Sequence, residues 1–126
     1  MTVVYDGDCG VCSAAVAFAR ERAPRGGVAF TASQSLSDAQ RAAIEARAGA
    51  GVFDRSIVLD GAGRTLTGAR AVNATLALLF PRSAPYVAAV ERIAPLVALE
   101  DAAYRFFARH RRAISRALGL TACATR

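Results

Sequence analysis

Residues 3–12 read VVYDGDCGVC. An apolar run, Thr2–Tyr5, stops at Asp-Gly-Asp, a turn signal, and two cysteines follow two residues apart. From Gly10 to Arg22 the apolar positions Val11, Ala14, Ala15, Phe18 and Ala19 recur at three- and four-residue spacing, which predicts a helix. The stretch is therefore strand, turn, helix. It places a Cys-x-x-Cys pair where the strand hands over to the helix.

Working outward, APRGG at 23–27 ends that helix and VAFT at 28–31 predicts a second strand. Ser35 or Ser37 can cap a second helix running to about Ala48, with Leu36, Ala39, Ala43 and Ile44 on its apolar face. Gly-Ala-Gly at 49–51 breaks it. Segments 56–59 and 64–67 are rich in β-formers and flank Asp60-Gly61-Ala62-Gly63, a hairpin signal. A third apolar helix spans Arg70–Phe80 and stops at Pro81. A helical tail runs from about Pro85 to Leu118. The order β-α-β-α-β-β-α makes the first two strands parallel and the hairpin antiparallel. The expected fold is α/β, a four-stranded mixed sheet of thioredoxin-like arrangement with helices on both faces and a C-terminal helical extension. In an open α/β sheet the chemistry gathers at the carboxyl ends of strands, where this cysteine pair falls.

A length of 126 residues with 54% hydrophobic content fits one domain with a sizeable core, divided as 1–82 core, 83–118 extension and 119–126 tail. Met1-Thr2 leads straight into the first strand without a basic segment followed by an apolar one, and AVNATLALLF at 71–80 is too short to span a bilayer. A cytoplasmic location is expected. Structural disulfides are rare there, so the pair is expected to be redox-active or metal-binding. The net charge of +6 comes entirely from arginine, in an alanine-rich chain. Nucleic acid is not an expected partner, because no basic residues interleave with aromatics on a strand.

Free amides and the positive end of a helix dipole stabilise a thiolate at a helix N-terminus. Cys9 is expected to emerge there as the attacking thiol, with Cys12 one turn behind to resolve the mixed disulfide. Asp8 is placed to cap the helix. Asp6, at the strand end, can lie under the pair and move a proton to or from Cys12. No bound cofactor is required.

YDGDCGVC at 5–12 resembles the DCC family (DUF393) of thiol–disulfide oxidoreductases, and DRSIVLDGAGRTLTGARAV at 54–72 and YRFFARHRRAISRALG at 104–119 resemble it more softly. The resemblance spans essentially the whole chain and implies a thioredoxin-like fold with disulfide chemistry at Asp6, Cys9 and Cys12. Thioredoxins proper carry a cis-proline before the strand that faces the cysteines. Arg55-Ser56 stands in that place here, and Arg55 becomes a candidate for binding a substrate carboxylate such as that of glutathione. A disulfide-containing protein or a small thiol is the expected partner.

A second class of function uses the same residues differently, as a non-catalytic binding module or metal clip. Cys9, Cys12, Cys123 and His110 together make a conceivable zinc set, without the second close pair that such sites normally show. Cys123 can alternatively pair with Cys9 if the tail folds back. The DxD start also resembles a phosphotransferase motif, but the downstream basic and acidic residues such an enzyme needs are missing. Finally, at about 100° per residue, Arg105, Arg109, Arg112 and Arg116 fall within roughly 60° of arc, opposite Ala103, Phe107, Ile114 and Leu118. That basic amphipathic helix suits an anionic membrane surface or an acidic protein.

Overall fold

The computed structural model describes residues 1–22 and 27–120. Four strands, β1 (Thr2–Tyr5), β2 (Ala29–Ala32), β3 (Val58–Gly61) and β4 (Arg64–Thr67), form one sheet in the order β2-β1-β3-β4. β1 runs parallel to β2, with Val3 opposite Phe30, and antiparallel to β3, with Val3 opposite Leu59. β3 and β4 are antiparallel neighbours. The helices are α1 (Gly10–Arg22), α2 (Asp38–Ala48), α3 (Val52–Arg55), α4 (Gly68–Leu79), α5 (Ala84–Glu91) and α6 (Ala94–Ala117). This strand order and mixed pairing make the fold thioredoxin-like.

The two central strands carry the core because both of their faces are covered. Val4 and Val58 point to one face and pack with Ile44, Val52 and Phe53 of α2 and α3. Val3 and Leu59 point to the other and meet Ala71 of α4, while Tyr5 packs with Val16 of α1. Helix α6 lies against α1 and α4 on that second face. It therefore reaches the carboxyl end of β1.

Local chemistry explains most boundaries. Ser37 caps α2 in a reciprocal box: its hydroxyl accepts from Gln40 N at 3.2 Å, and Gln40 Oε1 accepts from Ser37 N at 3.0 Å. Phe80, preceding Pro81, lies outside the helical region (φ −127°, ψ 81°), as a residue before a proline is biased to do, and α4 stops there. The predicted tail from 85 to 118 is two helices rather than one. Ile93 is extended, and Pro95, which has no N–H to give, sits in the first turn of α6.

Helix α3 is absent from the sequence reading, which took Ser56 as the start of a strand. A single helical turn leaves no periodicity to detect, and Val52 and Phe53 are residues that favour strands. What starts it is Gly51 in the left-handed region (φ 67°).

The hairpin joins Gly61 to Arg64 through two residues, Ala62 (φ 50°) and Gly63 (φ 73°). Two positive φ values match the twist of the flanking strands, but alanine is an unfavourable occupant of that region. Ala62→Asn is expected to stabilise the fold by about 0.5–1 kcal/mol. The gain should appear as a raised urea midpoint with an unchanged slope.

Candidate functional site at the start of helix α1

Cys9 immediately precedes α1, and its own sulfur does the capping: Cys12 N donates to Cys9 Sγ at 3.3 Å. This corrects the expectation for Asp8. That residue is exposed, and its carboxylate accepts from Gln34 Nε2 at 3.1 Å instead of capping the helix. The other early amides are also spoken for, Cys9 N by Asp6 O (3.2 Å) and Val11 N by Ser115 Oγ (3.1 Å). A single backbone amide, Cys12 N, thus reaches the Cys9 sulfur at the start of the helix.

Both cysteines are free thiols, and their burial runs opposite to expectation. Cys9 is 1% exposed, whereas Cys12 is only partly buried. After α6 the backbone turns back, with Leu120 N donating to Ser115 O, and Leu120 comes to rest on Gly10. The approach is so close that a Cβ on Gly10 would stand 2.6 Å from Leu120 O, so only glycine fits there.

The surroundings of Cys12 act on its proton. Burial, a hydrogen bond with Cys9 and the charge of Cys9 push the Cys12 thiol up to about 12, Asp6 adds to the rise, and Arg111 opposes it. Cys12 therefore holds its proton through the neutral range.

Asp6 lies at the end of β1, 9% exposed, and every contact holds it as a carboxylate acceptor. Its Oδ1 accepts from Asp8 N (2.9 Å) and Gln34 Nε2 (3.0 Å), and its Oδ2 faces Arg111 Nη2 at 2.8 Å. The same Arg111 nitrogen donates to Asp54 O at 2.9 Å. The backbone carbonyl of Arg111 accepts from Ser115 Oγ (2.7 Å), the hydroxyl that receives Val11 N between the two cysteines. Arg111 thus ties α3, the end of β1 and the cysteine turn together.

The sequence reading passed over Arg111, although a signal was present. At 100° per residue it lies roughly 130° from the centre of the four-arginine arc, between Phe107 and Tyr104 on the apolar side of α6. An arginine on the apolar stripe of a packed helix needs a buried partner. Arg105, Arg109, Arg112 and Arg116 are all exposed.

Arg55 is exposed at the end of α3, with its guanidinium near Gly49. The hydroxyl of Ser56 accepts from Gly68 N (2.7 Å) and donates to Ile57 O (3.0 Å), fastening the start of β3 to the start of α4. The hollow beside Cys12 is lined by Ile57, not by Arg55 or Ser56. His110 is exposed and stacked on Phe106, and no three His, Cys, Asp or Glu side chains among the described residues gather as a metal site. Cys123 lies outside the described residues.

A strand of a thioredoxin-like sheet ending in a Cys-x-x-Cys turn, with the amide of the second cysteine donating to the sulfur of the first, defines the class of dithiol proteins. A family model described as "DCC1-like thiol-disulfide oxidoreductase" matches residues 3–117, and the chain belongs to that family. No curated protein and no solved structure matches it. Among the described residues no helix is long and apolar enough to cross a membrane.

Proposed function

We propose that the protein exchanges thiols and disulfides through Cys9 and Cys12, with Cys9 attacking and Cys12 resolving. The observation that carries this reading is the contact from Cys12 N to Cys9 Sγ. The charge of Cys9 is one reason Cys12 keeps its proton. Once Cys9 is bound in a mixed disulfide, that charge is gone and Arg111 still lowers the Cys12 thiol. Cys12 is then freed to ionise at the step that needs it as a nucleophile. Asp6, whose charge Arg111 balances, is proposed to receive or return that proton. Cys9 is 1% exposed, so its attack requires local opening at the start of the helix. The reaction suits the cytoplasm, with a disulfide-bearing protein or a small thiol as partner. Arg55 and Ser56 remain proposed contacts for it, and Arg105, Arg109, Arg112 and Arg116 a proposed surface for an acidic protein or anionic membrane.

Trapping tests the order. Cys12→Ser, mixed with oxidised glutathione, is expected to accumulate a mixed disulfide on Cys9 that intact-mass spectrometry detects, while Cys9→Ser accumulates little. Accumulation on Cys12 in Cys9→Ser reverses the assignment. Stoichiometric zinc in the purified protein, or two thiols that survive mild oxidation of the wild type, replaces the enzyme reading with the metal-clip one.

A further inference from the structure

Beside Cys12 opens a cavity of about 290 Å³ between α1, α4, α6 and the sheet, walled by Val11, Ala15, Phe18, Phe30, Leu76 and Phe107. No charged residue lines it. Two of its lining hydroxyls are turned to backbone: Tyr104 Oη accepts from Ile57 N at 2.8 Å and Thr75 Oγ1 donates to Ala71 O at 2.7 Å. Phe18 (52% exposed) and Leu76 (41% exposed) stand open to solvent at its rim. The cavity therefore joins a thiol to an apolar chamber. A chamber of about 150 Å³ is enough to hold a benzene ring, so this one has room for an aromatic or branched aliphatic group.

We infer that this cavity seats an uncharged apolar substituent of the substrate disulfide, so that the dithiol selects apolar disulfides over charged ones such as oxidised glutathione. The inference rests on the thiol–disulfide reading above and adds the substrate class. In the forward direction Cys9 thiolate attacks the sulfur bearing the seated group R. The Cys9–S–S–R bond forms, the substrate S–S bond breaks, and R′S⁻ leaves and takes up a proton. Cys12 then attacks Cys9 Sγ, giving the Cys9–Cys12 disulfide and releasing RS⁻, which takes the proton Cys12 gives up. Two electrons pass from the dithiol to the substrate. Glutathione offers the cavity only charged and amide groups, whose desolvation nothing on its walls repays.

The test is single-turnover oxidation of the reduced full chain by 4,4′-dithiodipyridine and by oxidised glutathione. Each rate is divided by that of the same disulfide with dithiothreitol. The normalised rate with dithiodipyridine is expected to exceed that with glutathione by about tenfold or more, the effect of burying one apolar group. Ala15 is exposed at the cavity wall, and Ala15→Glu is expected to cut the ratio several-fold, whereas Ala14→Glu, off the wall, is not. Equal normalised rates, or equal ratios in the two variants, overturn the inference. Failure of both disulfides to oxidise the dithiol overturns the underlying reading instead. A peptide disulfide with phenylalanine beside each cysteine separates the sources. Reaction as fast as dithiodipyridine assigns the cavity to a polypeptide side chain, and slow reaction assigns it to a small molecule.

Discussion

Arg111→Leu is expected to destabilise the protein by about 3–5 kcal/mol, because it leaves the Asp6 carboxylate buried without its cation. The side chains of the pair are 10% and 9% exposed, so water cannot take over the lost contact as it would at a surface bridge. The loss is more than electrostatic. Arg111 Nη2 also donates to Asp54 O, a carbonyl of α3. Asp6→Asn is expected to cost less than Arg111→Leu, since the amide still accepts at Oδ1 and the arginine keeps Asp54 O. The double variant, with neither charge buried, is expected to recover part of the Arg111→Leu loss. Urea unfolding of the four proteins gives the cycle. Single losses that simply add would show that the two residues act independently. A second readout separates support of the site from support of the fold. Arg111 lowers the Cys12 thiol, so its removal should slow Cys12 alkylation further at pH 8 in protein that is still folded.

The contrast between Arg111 and the cysteines shows what could be read in the sequence. Thr2–Tyr5, the Asp60–Gly63 turn and the Ser37 cap are local: the residues that specify them sit within a few positions, so pattern and turn chemistry reach them. The mixed sheet follows from their order, because few topologies satisfy β-α-β followed by a hairpin. Helix α3 escaped because one turn carries no period. The division of the tail was half visible, since Pro95 marks it, but Arg92 and Ile93 do not look like a break. The cysteine pair was legible as chemistry, because Cys-x-x-Cys after a strand is a short-range pattern. Its burial was not. Gly10, next to Cys9, is covered, and Val11 N is satisfied, by residues more than a hundred positions away. That depends on where α6 returns, which no local window contains. Arg111 lies between these cases. Its place on the apolar stripe predicts a buried counter-charge, but which carboxylate answers it is a tertiary fact.

Alkylation of Cys12 in the reduced protein at pH 8 is expected to run about a thousandfold slower than in the unfolded chain. A thiol pushed up to about 12 is ionised to roughly one part in 10⁴ at that pH. An ordinary thiol near 8.5 is about one-quarter ionised, and only the thiolate reacts. The sign follows from the causes. Burial, the hydrogen bond with Cys9 and the Cys9 charge all disfavour the Cys12 anion, and two of the three come from one neighbour. Cys9→Ser removes the sulfur behind two of these causes while leaving burial and Arg111 in place, so Cys12 should alkylate faster in that variant than in the wild type. Across pH 7–10 the wild-type rate at Cys12 should climb about tenfold per unit without levelling, since its ionisation lies above that range. Pulses of iodoacetamide followed by tandem mass spectrometry supply the measurement, because Cys9 and Cys12 share the tryptic peptide ending at Arg20 and must be told apart within it. Equal Cys12 rates in the wild type and Cys9→Ser would mean that the two sulfurs do not hold each other's protons. The division into attacking and resolving thiols would then lose its electrostatic basis, and the burial order alone would favour Cys12 as the first to react.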